Sequence, residues 1–218
     1  MTYAIGDIHG CRVALETLIN RLPLTADDKL IFLGDYIDRG PDTKGVVNYI
    51  LGLKAGFKVV HLIGNHEIFL RDAYADPLLY TFFTSDLVGG KETLASYGGG
   101  LESIPAEHRK FLITDALHYY ETESHIFVHG GLEASIALDQ QQEETLVSKR
   151  FTDPTPHHSG KIMICGHTIQ NEAPINFGGH SICIDTGCYR EGWLTALQVE
   201  TGNYFQTNQQ GQYREGAL

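Results

Sequence analysis

Five short apolar segments of this sequence each end at a glycine and a side chain that can bind a metal ion. The segments are rich in aliphatic and β-branched residues and have the length of buried strands. They cover residues 2–5, 29–33, 58–63, 125–128 and 161–165. Helix-like stretches lie between them, and strands that alternate with helices predict an α/β fold. Because such sheets carry their sites at the carboxyl ends of the strands, the five strand ends form the candidate site.

The stretches between these segments carry apolar residues at helical spacing. Asp42 and Thr43 can cap the start of a helix, Gly56 can end that helix, and Pro105 can open another one. The predicted helices cover residues 11–22, 43–56, 67–75 and 106–113.

The pattern changes after His167 to short strands joined by turn residues. Strand-like segments cover residues 181–184, 194–199 and 204–205, and we interpret them as a β-meander that completes a second sheet. No repeat or clear boundary interrupts the sequence. Residues 1–218 are therefore expected to form a single domain, with a polar C-terminal tail from about residue 206.

Composition narrows the classes of function. A net charge of −11 argues against a protein that binds nucleic acid through its phosphate backbone. No segment is apolar and long enough to span a membrane, and the first residues do not read as a signal peptide. The four cysteines lack the spacing of a zinc site or a disulfide framework, so buried thiols and a cytoplasmic location are expected.

Six oxygen or nitrogen donors occupy the five strand ends. A single Asp-x-His pair more often belongs to a polar loop than to a metal site. Repetition of the same context at five strand ends favours a shared metal centre instead. The candidate ligands are Asp7, His9, Asp35, Asn65, His129 and His167.

The charges of these donors suggest how such a centre works. Asp7 and Asp35 carry two negative charges, so two divalent ions would keep a net positive charge that favours a bridging hydroxide and a phosphate oxygen. Asp35 is the natural bridge between the ions, and the amide of Asn65 binds without cancelling more charge. Imidazole and oxygen ligands without thiolates suit manganese, with iron or zinc as alternatives.

Three further residues surround the donors. Arg39 can bind phosphate oxygens through its forked guanidinium, or it can pair with Asp38. His66 can be a further metal ligand, a core histidine, or a general acid whose imidazolium is stabilised by Asp38. Structural or loop roles are expected for His61, His125, His157, His158 and His180. Arg71, Tyr189 and Arg190 can line the mouth of the site, although surface roles are expected first. Glu67 can anchor the helix start or orient the loop, and it receives no catalytic role.

Together these motifs resemble the signatures of the phosphoprotein phosphatases, within the calcineurin-like metallophosphoesterases. The resemblance spans most of the chain and is to the compact bacterial and phage branch of the family. It is carried by residues 6–10, 34–40, 64–67, 89–98, 129–131, 166–168 and 184–187.

The resemblance implies a central β-sandwich of mixed sheets flanked by helices, in four layers α/β/β/α. It also implies one metal ion on Asp7, His9 and Asp35, and a second on Asp35, Asn65, His129 and His167. His66 would be the general acid paired with Asp38, and Arg39 and Arg150 would bind the substrate phosphate. Arg150 is assigned because residues 146–150 lie where relatives have Leu-Leu-Trp-x-Arg, although Ser148 replaces the tryptophan.

Two departures from related families refine this picture. Thr168 and Ile169 follow His167 where more distant metallophosphoesterases often have Gly-His-x-His, which leaves the first metal ion with three protein ligands. The carboxyl-terminal substrate loop of the eukaryotic enzymes is missing, so their recognition of inhibitors and regulatory subunits is not expected here.

The expected function is hydrolysis of phosphomonoesters by direct attack of metal-bound hydroxide, with phosphoserine or phosphothreonine in proteins as the first choice of substrate. The alternative is a symmetrical bis(5'-nucleosyl)-tetraphosphatase, because enzymes of that type share the early motifs. A third hypothesis is a binding module without catalysis, which the complete set of ligands disfavours. Partners are expected to be a phosphorylated protein or a small phosphoester, with neither nucleic acid nor membrane.

Overall fold

The computed structural model describes all 218 residues and contains eleven strands and seven α-helices. The strands are β1 Thr2–Ile5, β2 Lys29–Phe32, β3 Lys58–His61, β4 Tyr119–Glu121, β5 His125–Val128, β6 Ile162–Cys165, β7 Ile175–Phe177, β8 Ser181–Cys183, β9 Leu194–Gln198, β10 Asn203–Thr207 and β11 Tyr213–Ala217. The helices are α1 Arg12–Arg21, α2 Thr43–Leu53, α3 Asn65–Ala73, α4 Pro77–Phe83, α5 Gly90–Tyr97, α6 Ala106–Arg109 and α7 Glu143–Ser148.

The strands form two mixed sheets. The first has the order β11-β10-β9-β1-β2-β3 and the second the order β4-β5-β6-β8-β7. Strands β1, β2 and β3 run parallel to one another, as do β5, β6 and β8. The five predicted ligand-bearing strands are confirmed, and they divide between the sheets as β1, β2 and β3 in one and β5 and β6 in the other.

The core lies in layers, because the central strands are apolar on both faces. Nine buried side chains from both sheets, including Ala4, Ile31, Phe127 and Ile164, pack together between the sheets. The opposite face of the first sheet packs against a larger core that includes Leu15 and other residues of α1 and α2. On the outer side of the second sheet, residues of β5 and β6 pack against α7 and its neighbours. The predicted β-sandwich with flanking helices is confirmed.

The predicted β-meander is partly wrong. Strand β8 does join the second sheet, next to β6, but β9, β10 and β11 belong to the first sheet. There β9 pairs antiparallel with β1, with Ala4 opposite Leu197. Four of the five residues of β9 are buried, so the strand fits the interior of either sheet and its sequence pattern alone does not select one.

The segment from residue 206 is also more ordered than expected. Instead of a polar tail, β10 and β11 form an antiparallel hairpin in which Phe205 lies opposite Glu215. The Asn208 side chain accepts hydrogen bonds from the backbone N–H groups of Gln210 and Gln212 within the connecting turn. Asn208 thus stabilises a turn in a stretch whose polarity suggested a tail.

The predicted helices are confirmed, with one shift that matters for the site. Helix α3 begins at Asn65, two residues earlier than predicted, so Asn65 and His66 lie in its first turn. The 106–113 helix is α6 followed by a π-helical turn from Lys110 to Thr114. Helices α4, α5 and α7 were not among the predicted helices. No helix of the structure combines the length and the apolar character needed to cross a membrane, and all four cysteines are buried free thiols.

Candidate functional site

A cleft of about 420 Å³ opens where the carboxyl ends of the ligand-bearing strands converge. Eight of the ten residues predicted for the site line it, and the other two, His129 and Asp38, are fully buried behind its wall. The eight are Asp7, His9, Asp35, Arg39, Asn65, His66, Arg150 and His167. The structure therefore brings all of the predicted residues into one region.

The backbone of this region is unusual. Seven non-glycine residues in the chain have positive φ, and five of them are predicted site residues: His9, Asp35, Asp38, Arg39 and His167. A left-handed conformation costs a non-glycine residue about 1–2 kcal/mol, and such residues cluster at functional sites. The fold thus maintains local strain to direct these side chains into the cleft.

Two glycines make room for the carboxylates. A Cβ atom at Gly64 would lie 2.1 Å from Asp35 Oδ1, and one at Gly166 would lie 2.1 Å from Asp7 Oδ1. Both distances are far below van der Waals contact. The glycines that end these strands are therefore required by close packing against the candidate ligands.

The first group of donors is centred on His9 and Asp35. The His9 Nδ1–H donates a hydrogen bond of 2.8 Å to the Ile37 carbonyl, which leaves Nε2 facing the cleft. His9 Nε2 lies 3.4 Å from Asp35 Oδ2 and accepts a 3.1 Å hydrogen bond from Arg39. Asp7 lies in the same cleft, and its two carboxylate oxygens accept bonds of 3.2 and 3.1 Å from the His167 backbone N–H.

The second group of donors shares Asp35 with the first. His129 Nδ1–H donates to the Leu33 carbonyl at 3.0 Å, and its Nε2 lies 3.3 Å from Asp35 Oδ1. Asn65 Oδ1 lies 3.0 Å from His129 Nε2 and 2.9 Å from His167 Nδ1. The two Asp35 oxygens thus face different groups, which is the arrangement expected of a bridging carboxylate.

The donor sets fit divalent cations. Single donor atoms of Asp35, His129 and His167 lie within 4.8 Å of one another, and so do those of His9, Asp35 and His66. The backbone carbonyls that accept from Nδ1 of His9 and His129 fix the ring tautomers, as the outer partners of metal-bound histidines do. When the rings are neutral, the Nε2 atoms of His9 and His129 carry a lone pair and repel the nearby Asp35 oxygens. A cation between them would accept both lone pairs and remove this repulsion.

Electrostatics favour neutral rings at His9 and His167 and an ionised carboxylate at Asp35. Burial lowers the pKa of His9 well below its usual value and lowers that of His167 to about 4. Burial opposes ionisation of Asp35, but positive charge on His129 and His66 holds its pKa well below the usual range. At His129, burial is outweighed by the Asp35 carboxylate, which raises the pKa. A cation bound at His129 therefore competes with a proton for the ring nitrogen.

The pKa of Asp7 is shifted in the opposite direction. Burial, followed by the negative charges of Asp185 and Asp35, raises it well above the usual range. Asp185 lines the same cleft and lies just after β8. Three buried carboxyl groups in one cleft repel each other, and this repulsion is relieved by bound cations.

His66, which lines the cleft, forms a close pair with Asp38, which lies behind the wall of the cleft. His66 Nδ1 lies 2.7 Å from Asp38 Oδ2, and its Nε2 lies 4.0 Å from Asp35 Oδ2. The Thr93 hydroxyl donates to Asp38 Oδ1 at 2.7 Å and accepts from the Asp38 backbone N–H at 2.8 Å. Asp38 is thus fixed from two sides while it orients the His66 ring.

The protonation of this pair suits an acid. Burial lowers the pKa of His66 to about 4, and it raises the pKa of Asp38 well above its usual range. The two shifts are consistent with one proton shared between Nδ1 and Oδ2. A protonated Asp38 beside a neutral His66 ring places the ring hydrogen on Nε2, which faces the cleft and can donate it.

The two predicted phosphate-binding arginines also line the cleft. Arg39 has positive φ, and its guanidinium carbon lies 4.6 Å from the centre of the Tyr189 ring. Arg150 follows α7 and is exposed. The alternative in which Asp38 pairs with Arg39 is not found, because Asp38 is bonded to His66 and Thr93 instead.

Glu67, for which the sequence left open an anchor of the helix start or a support of the loop, has both of these roles. Its carboxylate is fully buried and accepts three backbone N–H bonds of 2.9 Å, from Gly64, Asp35 and Tyr36. It therefore ties the start of α3 to the loop that carries Asp35. The signal in the sequence is a glutamate at the third position of a helix start, where its side chain can bond back to the preceding backbone.

Replacement of Glu67 by glutamine is expected to weaken metal binding about 10- to 100-fold, as loss of outer partners of metal ligands does. The amide nitrogen cannot accept a backbone N–H bond, so the Asp35 loop loses part of its support. Calorimetric titration with Mn²⁺ measures the effect, and Glu92→Gln on the exposed face of α5 is the matched control. Equal Mn²⁺ affinity in the Glu67 variant and the wild type would show that Glu67 does not position the ligands.

Several other residues have the roles expected or depart from them. His61 stacks on Phe111 and is structural, and Arg71 pairs with Glu143 at the surface. His157, expected in an exposed loop, is buried, and its Nε2 lies 3.0 Å from the Ile136 carbonyl. Tyr189 and Arg190, for which surface roles were expected ahead of a place at the mouth of the site, line the cleft.

Comparison with known proteins identifies the family. The family sequence model of the calcineurin-like phosphoesterases matches residues 2–183 of this chain. A symmetrical bis(5'-nucleosyl)-tetraphosphatase of Cellvibrio japonicus is 40% identical over 74 residues, which are 34% of this chain and 27% of that protein. The chain thus aligns with about a quarter of the length of this relative.

Solved structures show the same fold. A crystal structure named as a "putative diadenosine tetraphosphatase" superposes with a TM-score of 0.68 at 20% identity, covering 99% of this chain and 92% of the other. A cold-active protein-tyrosine phosphatase of a psychrophilic Shewanella species gives a TM-score of 0.65 at 16% identity, covering 98% and 79%. The match to the family model over most of the chain, together with this fold, shows that the chain belongs to the calcineurin-like phosphoesterase family.

Proposed function

We propose that this chain hydrolyses phosphoric esters with two divalent metal ions. Asp7, His9 and Asp35 would hold one ion, and Asp35, Asn65, His129 and His167 the other. The observation that carries this proposal is the position of Asp35, whose two oxygens face different groups of nitrogen donors. When bound, the ions supply an activated water and neutralise the negative charge of the phosphate.

The residues of the chain have separate tasks in this reaction. Two arginines bind and orient phosphate oxygens through charge-assisted hydrogen bonds. They are Arg39, which lies beside His9, and Arg150, which follows α7. His66 donates the proton on Nε2 to the leaving oxygen, and Asp38 holds the ring in place. Thr93 keeps Asp38 in position by two hydrogen bonds.

The proposed substrate is a dinucleoside tetraphosphate, cleaved symmetrically. The curated relative described above carries this activity in its name, and the structural neighbour with the higher TM-score of the two described is named as a diadenosine tetraphosphatase. We therefore put the phosphoprotein hypothesis, the first choice from the sequence motifs, second. Three arginines around one cleft, Arg39, Arg150 and Arg190, also suit a substrate with several phosphates.

The substrate assignment is tested by comparing kcat/KM for diadenosine tetraphosphate with kcat/KM for phosphoserine and phosphothreonine peptides, each with added Mn²⁺. We expect at least a tenfold preference for the dinucleotide, equivalent to about 1.4 kcal/mol in transition-state binding. A preference for the phosphopeptides would restore the protein phosphatase as the better assignment. Failure to hydrolyse either substrate or p-nitrophenyl phosphate at neutral pH would favour a binding module without catalysis.

A further inference from the structure

Tyr189 and Arg190 lie at the outer part of the cleft, and neither takes part in the hydrolysis step proposed above. They belong to a short 3₁₀ helix, Cys188–Arg190, that follows the glycine turn after β8. Both line the cleft together with Arg39 and Arg150. Arg190 is exposed and Arg39 is partly buried, so Arg190 is the outer of the two.

The ring of Tyr189 connects the candidate metal site to Arg190. Its centre lies 4.8 Å from that of the His9 ring, in an edge-on arrangement. The guanidinium carbons of Arg39 and Arg190 lie 4.6 and 5.2 Å from the same ring centre. Contact between a guanidinium and an aromatic ring is attractive and restricts the arginine side chain. The stack therefore holds Arg190 near the phosphate site before any ligand binds.

The three arginines of the cleft have their charge available for an anion. None of Arg39, Arg150 and Arg190 forms a salt bridge, although the chain carries a net charge of −11. Arg71, by contrast, pairs with Glu143 through two bonds of 2.8 and 3.0 Å. Unpaired guanidinium groups in an acidic protein are suited to bind a ligand that brings its own negative charge.

We infer that Arg190 binds a second phosphate of the substrate, joined through an anhydride to the phosphate that is hydrolysed. The inner phosphate is already served by Arg39, Arg150 and the proposed metal ions, whereas Arg190 lies farther out along the same cleft. The cleft would then select chains of linked phosphates over single phosphate esters. This inference deepens the proposed function and rests on it for the position of the reacting phosphate.

The experiment measures binding of two inorganic probes by calorimetry. Mn-loaded wild type, Arg190→Gln and Arg21→Gln are titrated with tripolyphosphate and with orthophosphate in the same buffer. Arg21 is the matched control, because it is an exposed arginine that stacks on a tyrosine, Tyr213, outside the cleft. Arg190→Gln is expected to weaken tripolyphosphate binding about five- to tenfold, as loss of one charged hydrogen bond at an exposed position does.

Three comparisons decide the result. The affinity for orthophosphate should change by less than about twofold in Arg190→Gln. A single phosphate at the inner site does not reach Arg190, and the solvent and salt screen the charge of this exposed side chain over the remaining distance. Arg21→Gln should bind both probes as the wild type does. Equal weakening of both probes in Arg190→Gln, or no weakening of either, would overturn the inference.

The binding measurement keeps this inference separate from the proposed function. If wild type fails to hydrolyse diadenosine tetraphosphate while Arg190→Gln still loses tripolyphosphate selectively, the proposed substrate is wrong and the second phosphate site stands. If the dinucleotide is the preferred substrate and Arg190→Gln leaves both its KM and tripolyphosphate binding unchanged, the proposed function stands and the second phosphate site is wrong.

Discussion

Replacement of His66 by asparagine is expected to lower kcat for phenyl phosphate by about 10²–10⁴-fold, the range of general acid catalysis. The reason is that Nε2 faces the cleft and is the proposed proton donor, while Nδ1 lies 2.7 Å from Asp38 Oδ2. Asparagine removes the proton donor and is small enough to leave the start of α3 unchanged. Steady-state kinetics, with metal content measured on the same samples, tests the prediction.

The dependence on the leaving group separates an acid from a merely structural histidine. A leaving group that departs readily as an anion needs little protonation, so the loss should be smaller for p-nitrophenyl phosphate than for phenyl phosphate. By the same reasoning, His66→Asn should lower kcat less for a substrate whose leaving group is a phosphate than for one whose leaving group is a serine alkoxide. Equal losses for both phenyl esters would contradict the acid role. Loss of one metal equivalent in His66→Asn would identify His66 as a ligand, an alternative kept open by its place beside His9 and Asp35.

Replacement of Asp35 by asparagine is expected to impair retention of both metal ions and to abolish most activity. Each Asp35 oxygen faces a different donor group, with Oδ2 3.4 Å from His9 Nε2 and Oδ1 3.3 Å from His129 Nε2. The amide brings no negative charge, so each ion would lose the ligand that offsets repulsion between the ions. The metal content after gel filtration, measured by elemental analysis, should fall from two ions per chain to fewer than one.

Asp185→Asn is the matched control for Asp35. It removes a carboxyl group from the same buried cleft, at a residue outside the proposed ligand set. We expect this variant to retain both ions. If both variants lose metal equally, the measurement reports the negative charge of the cleft and not ligation by Asp35. Unchanged stoichiometry in Asp35→Asn would refute the bridge.

Much of the site could be predicted because parallel strands bring their carboxyl ends to one edge. Asp7, Asp35 and His129 are far apart in the sequence, yet each follows an apolar strand at a glycine. Nothing in this pattern says which sheet a strand joins. The donors in fact come from the strand ends of two sheets, β1 to β3 in one and β5 and β6 in the other. Likewise, β9 pairs with β1 in the first sheet, whereas β8 lies in the second.

The contacts that could not be predicted join residues that are distant in the sequence. Glu67 accepts bonds from Asp35 and Tyr36, more than thirty positions earlier. Thr93 reaches Asp38 across 55 positions. Such contacts depend on tertiary packing, which local periodicity does not encode. The polar turn at Asn208 could have been recognised, since strand-like residues with aromatic side chains lie on both sides of it.

The central claim is that Asp35 bridges two metal ions held by separate donor groups. Anomalous diffraction from crystals grown with Mn²⁺ tests it most directly. We expect two anomalous peaks about 3.5–4 Å apart, each within coordination distance of one Asp35 oxygen, with His66 Nε2 bound to neither. A single peak, or two peaks with His66 as a ligand and Asp35 on only one ion, would contradict it.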